Sequence, residues 1–175
     1  LATAGIAALD SADVAVLNSA QLSALTSAQL RAIDSADMAA IGTDALAGLT
    51  SAHIGQLSNA QITGLTTDQL AALSTLQVRG LTSSQIAALA TDDLRALTSE
   101  QYAALTSNQV SALTSDQIAA IATDDLPALG AAQIKAMSTL GISRLDSADL
   151  RALTTLQVAA LTTEQARALG TDALK

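Results

Sequence analysis

A large aliphatic side chain returns at every eighth position of this sequence, from Leu1 through Leu9, Leu17 and Leu25 to Leu169. The register never slips. Cut at those residues, the chain is 22 units, 18 beginning with Leu, three with Ile (Ile33, Ile41, Ile121) and one with Met137. The last unit stops one residue short. So strict a period constrains architecture before composition does, because units too small to bury an apolar face alone stack and share a core. The expectation is one continuous repeat domain over residues 1–175, with no segment set aside to build a separate site.

Number each unit from its aliphatic residue. A helix turns about 100° per residue, so a side chain recurring every eight residues would drift roughly 80° each time and form no face. One long helix or a coiled coil is therefore disfavoured. A strand fails too, because the apolar residues fall at positions one, six and eight and do not alternate. A short capped helix in each unit fits. Position two is Ser, Thr, Asp or Asn in 16 units, the types whose side-chain oxygen caps exposed amides. Position five is Gln in 12 units, so pairs such as Thr66 with Gln69 and Thr114 with Gln117 read as capping boxes. The aliphatic residues at positions one and six are spaced as a hydrophobic staple. Asp44, Asp68 and Asp116 fall in the first turn, where they favour the helix dipole.

The spacing thus predicts an all-α solenoid of very short helices, one per repeat and about one and a half turns long. Such helices are unstable alone and depend on their neighbours. The rows at positions one and six, for example Leu65, Leu70, Leu73, Val78, Leu81 and Ile86, form the predicted core. Position eight is Ala in 15 of 21 units, with Gly48, Gly64 and Gly80 also small, which predicts close backbone approach there. Several units depart from the pattern. Ala90 and Ala122 cannot cap, so their caps are expected at Thr91 and Thr123. Gly42, Gly130 and Gly170 read as left-handed terminators of the preceding helix. Val16, Gln56 and Arg144 are too large for position eight, Gly141 and Ala166 also depart from an ideal array, and Pro127 falls inside a predicted helix. All mark expected irregular coils.

Composition then narrows function. Half the residues are hydrophobic, yet there is no Phe, no Trp and one Tyr, which fits thin uniform layers. The net charge is −8 with the basic residues scattered singly, an arrangement unsuited to nucleic acid or anionic lipid. No apolar run reaches the roughly 18 residues of a membrane span. Without cysteine, disulfides contribute nothing.

His53, the only histidine, takes the place usually held by Gln and reads as a surface substitution. The Asp-Ser-Ala-Asp segments at 10–13, 34–37 and 146–149 suggest calcium, but they occupy capping-box positions and lack the glycine-rich loops of calcium repeats. Tyr102 reads as a larger occupant of the position-six row, at a coil edge. No Ser-His-Asp set, phosphate loop or zinc spacing is present. The expectation is no enzyme, with no catalytic, cofactor-binding or metal-binding residues and no cofactor. Rows of Ser and Thr, as at Thr66-Thr67, Ser74-Thr75 and Thr82-Ser83, leave ligand binding (glycan, peptide or ice) as the alternative.

The tract at 65–121, LTTDQLAALSTLQVRGLTSSQIAALATDDLRALTSEQYAALTSNQVSALTSDQIAAI, resembles octapeptide-repeat arrays of large bacterial surface and adhesin-like proteins. That resemblance implies an extracellular or cell-surface structural role. The chain opens at the start of a unit and neither end carries an atypical polar unit, which predicts an excised or processed stretch. A thin stack also hides less apolar surface than a globule. The expected function is a stalk, spacer or filament, with self-association as the expected partner interaction.

Overall fold

The computed structural model describes residues 2–169, and among them finds nineteen α-helices, two 3-10 helices and no strand. Leu1 and the expected terminator Gly170 lie outside the described residues. Each of the first 21 units holds one helix of three to six residues. The chain comprises two compact bodies, Leu1–Leu89 and Ala90–Lys175, each a solenoid of these short helices.

The unit at Leu65 shows how the sequence makes the turn. Thr66 is extended (φ −77°, ψ 162°) and its hydroxyl oxygen accepts the Gln69 amide at 3.2 Å. Gln69 Oε1 accepts the Thr66 amide at 2.7 Å. With both amides occupied, the helix Thr67–Ala72 begins at once. It ends at Leu73 (φ −62°, ψ 135°), whose amide reaches back to the Leu70 carbonyl at 3.2 Å. Two extended residues, Leu73 and Ser74, then lead into the helix Thr75–Gly80.

No described residue has positive φ. Gly42 (φ −62°) and Gly130 (φ −73°) are therefore not left-handed terminators. Both are extended N-cap residues of the following helix. In place of a cap side chain, an amide of the first turn donates to the glycine carbonyl, Ala45 to Gly42 at 3.0 Å and Gln133 to Gly130 at 2.9 Å. The expected shift of the cap to Thr91 is also corrected. Ala90 itself is the N-cap and donates its amide to Asp93 Oδ2 at 2.9 Å. Thr123 does not cap either, and its hydroxyl goes to Asp149 of another coil.

The irregular units follow from identifiable residues. Pro127 lacks the amide that position seven would donate in an α-helix, and its unit forms a turn followed by the 3-10 helix Leu126–Ala128. Ser35–Ala40 is also 3-10. By contrast, Gln56 closes a regular helix, Ser51–Gln56, so no irregular coil arises there. Val16 and Arg144 are accommodated by pointing out, Val16 exposed and Arg144 bonded to Asp116 at 2.9 Å.

Within each body the chain lies over itself after three to four units. In the first body Ser51–Gln56 packs on Thr75–Gly80, and Ser11–Ala15 on Ser35–Ala40. In the second, Ser107–Ser111 packs on Ala131–Ala136, which packs on Thr155–Ala160. Position six lies deepest, with Leu70, Val78, Ile86 and Ile118 fully buried, and position one borders it, as at Leu65, Leu73 and Leu81. The small residues at position eight sit where one coil's backbone meets the next. A β-carbon at Gly48, Gly64 or Gly80 would fall 2.0–2.3 Å from the carbonyl oxygen of Ser19, Ser35 or Ser51, each 29 residues back. Only glycine fits such an approach.

Candidate functional site

The side chains that build the structure beyond its local turns are the position-five glutamines. Gln is buried at 61, 69, 77, 85, 101, 109, 117, 133, 157 and 165. Each uses Oε1 to close its own capping box. The Nε2 amide faces the other way. In the first body Gln61 donates to the carbonyls of Leu30 and Ile33 at 2.8 and 2.9 Å. Gln77 donates to Leu46 and Leu49 at 2.7 and 2.8 Å, and Gln85 to Ile54 and Leu57 at 2.9 and 2.8 Å. In the second body Gln157 reaches Leu126 and Leu129 at 2.7 and 2.6 Å.

These acceptors lie 31 and 28 residues back, at position six of one unit and position one of the next. The position-six carbonyl also accepts the amide of the position-one residue that follows, as Leu46 does from Leu49 at 3.0 Å, so the glutamine adds a second donor where the helix ends. One side chain therefore caps the start of its own helix and the end of a helix one coil earlier. Charge could not do this. A carboxylate accepts only, whereas an amide offers both functions. Sequence reading identifies the box and misses the second half. The signal is present: position five holds Gln twelve times and Glu never, while both glutamates, Glu100 and Glu164, stand at position four.

Where Asp replaces Gln, the polarity of the contact inverts. The Ser11 hydroxyl donates to Asp37, Ser99 to Asp125, and Thr123 to Asp149 at 2.7 Å, each 26 residues apart. The Asp-Ser-Ala-Asp segments act as caps. Asp10 accepts the amides of Ala12 and Asp13, Asp146 those of Ala148 and Asp149, and Asp34 that of Ala36. Among the described residues no three acidic, His or Cys side chains come together in a way that could hold a metal ion.

His53 stands in the Gln place, as the sequence indicates, and its ring Nδ1 accepts the Thr50 amide at 3.4 Å while Thr50 Oγ1 accepts the His53 amide at 3.1 Å. The ladder's spacing would place a glutamine here against the Leu22 and Leu25 carbonyls. His53→Gln is expected to raise stability by about 1 kcal/mol, the net worth of a buried hydrogen bond. Thermal unfolding measures it. A fall in midpoint would mean the ladder does not extend to this coil.

Tyr102 belongs to position six, but it is not at a coil edge. It is wholly buried, and its hydroxyl donates to the Leu94 carbonyl at 2.7 Å. Burial pushes its phenol well above the usual tyrosine range, and nearby Asp125 adds to the rise. The Ser and Thr hydroxyls differ by position, and those at position seven, such as Ser23 and Ser111, donate to the carbonyl three residues back. Those at position two serve their own helix, as Thr66, Ser74 and Thr82 do, and Thr67, Thr75 and Ser83 at position three face solvent. No described helix is long and apolar enough to cross a membrane.

An all-helical array with one capped helix per octapeptide, tied by an amide ladder, defines a structural repeat class. The ALTTAQ repeat matches at residues 6–43, 30–67, 64–92, 86–123 and 142–175, and the chain belongs to that repeat family. No curated protein matches the chain. The family and the fold support a repeat-based structural role.

Proposed function

We propose that the chain serves as a bacterial cell-surface or extracellular stalk, spacer or filament segment, one continuous array that associates with further copies of itself and carries out no chemistry. The supporting observation is that buried position-five glutamines, its most elaborate polar feature, are consumed in joining coil to coil, as Gln85 is with Ile54 and Leu57. Self-association draws on apolar side chains that the coils leave outside. Leu76, Leu140 and Leu156 occupy position four, where most other units carry Ala or Asp, and all three are exposed, as is Val16. Exposed leucines on a row otherwise made of small or polar side chains favour contact with another surface. Small-angle scattering over a concentration series tests this reading. Particle mass should rise with concentration, and replacing Leu76, Leu140 and Leu156 together by Asp should abolish the rise. Constant mass for both proteins would remove the self-association and leave a passive spacer.

A ligand-binding module is the second reading. A groove of about 610 Å³ lies beside Ala131, Ala132, Lys135, Ala159, Leu161 and Glu164. The unit at Leu129 borders it with Ala131 and Ala132, and Ala131 stands at position three, where most other units carry Ser or Thr. Saturable binding of a glycan or peptide, lost in Ala132→Arg, would favour this reading over the structural one.

A further inference from the structure

Two features on the outside of the array fit each other. The first is a knob. On the helix Thr75–Gly80, Leu76 is exposed, and the equally exposed Arg79 lies three residues on, over the same helix face. Leu140 and Leu156 hold the same place in their units, but Ser143 and Ala159 stand three residues after them. Leu76 is therefore the one exposed position-four leucine with a cation a turn later.

The second feature is the groove of the other body. Ala131, Ala132, Ala159 and Leu161 give it short apolar walls, and Lys135 and Glu164 border it with charge. Lys135 belongs to the helix Ala131–Ala136 and Glu164 to Thr163–Ala168, so each of these helices brings one charge of opposite sign. The two do not pair with each other. Among the described residues the ion pairs are Arg95 with Asp92 and Arg144 with Asp116, and Arg79, Lys135 and Glu164 belong to neither. An apolar hollow with charged groups at its margin has the anatomy of a protein–protein contact.

We propose that this groove receives the Leu76–Arg79 knob of a second copy of the chain. Leu76 enters among the alanines, which takes aliphatic surface of both partners out of water, and Arg79 meets Glu164. Entry the other way round would set Arg79 against Lys135, so the two charges of the groove select one orientation. The knob belongs to the body Leu1–Leu89 and the groove to Ala90–Lys175. Each copy thus brings one of each surface, and a contact between unlike surfaces continues from copy to copy unless the rotation closes a ring. The proposal rests on the self-association reading and gives that reading its two faces.

Sedimentation over a concentration series tests the pairing through charge. Arg79 and Glu164 are both exposed, so their substitution leaves the fold intact. Glu164→Arg removes the only acid lining the groove. It should weaken association about tenfold, the scale on which like charges at an interface are felt. Arg79→Glu should weaken it less, because Lys135 then offsets part of the repulsion. An equimolar mixture of the two variants should associate more strongly than either alone, since the new knob carboxylate meets the new groove guanidinium. A second measurement reads the contact itself. The chain has no cysteine, so Arg79→Cys copies mixed with Glu164→Cys copies and given a short thiol cross-linker should yield mainly mixed dimers. A merely statistical distribution of mixed and like dimers overturns the proposal. So does association that Glu164→Arg leaves unchanged, or that the mixture fails to restore. In each of those cases the parent chain still associates and the self-association reading stands, whereas a parent of constant mass removes both.

Discussion

Gln85→Glu should destabilise the chain by about 3–5 kcal/mol at neutral pH, the scale on which an uncompensated buried charge is felt. The change alters one atom. Glutamate retains the oxygen that accepts the Thr82 amide at 2.6 Å, so the capping box survives. What disappears is the Nε2 donor to the Ile54 and Leu57 carbonyls. A carboxylate oxygen then faces two carbonyl oxygens in a buried place. Burial and these dipoles both disfavour the charged form, so the folded-state pKa lies above the unfolded value of about 4.3. The sign follows. A raised folded pKa contributes stability that is fully present below the unfolded pKa and is lost as pH rises through the folded one. Acid should therefore rescue the variant, because the protonated carboxyl donates one hydrogen bond. Urea unfolding of parent and variant at pH 4 and pH 7 measures this. A loss of equal size at both pH values would show that the second capping function is not what holds the coils.

Leu81→Ala should cost about 2–5 kcal/mol, the range for emptying a packed leucine site. The neighbouring change Leu76→Ala should stay within about 0.5 kcal/mol in the dissociated chain, as surface substitutions do. The residues are of one type and lie five apart in the sequence, yet Leu81 is 3% exposed and Leu76 70% exposed. Position one lies between coils and position four lies outside them. Chemical denaturation of the two variants at low protein concentration separates these environments directly. Similar losses at both positions would mean that Leu76 is also enclosed.

The local structure is legible in the sequence because it depends on neighbours three or four residues apart. The box of Thr66 with Gln69, the helix lengths and the two apolar rows all follow from capping and spacing. What escapes is set by residues about 28 apart. Nothing local shows that Gln69 spends its amide on the Met38 and Ile41 carbonyls at 2.9 and 2.6 Å, nor that Tyr102 serves Leu94. The glycines at 42 and 130 illustrate the opposite error. A left-handed terminator is the usual reading of glycine after a helix, but these connections are only two extended residues long and need no reversal. Ala90 is a similar case, since Asp93 supports its amide without any cap side chain.

The 28-to-31-residue reach of the glutamines has a consequence for how such arrays change by duplication and loss. The octapeptide and the coil are incommensurate, with three to four units per coil. Gaining one unit leaves every amide a carbonyl pair to find, so the joint heals. Everything beyond the new unit, however, is turned by roughly a quarter to a third of a revolution within that body. Extension and azimuth are thus locked together, as in a spiral stair whose landing faces a new direction with each added step. A lineage that adjusts length one octapeptide at a time also re-aims every protruding side chain, Leu140 and Leu156 included. Only insertions near a whole number of coils lengthen the array without redirecting what it presents.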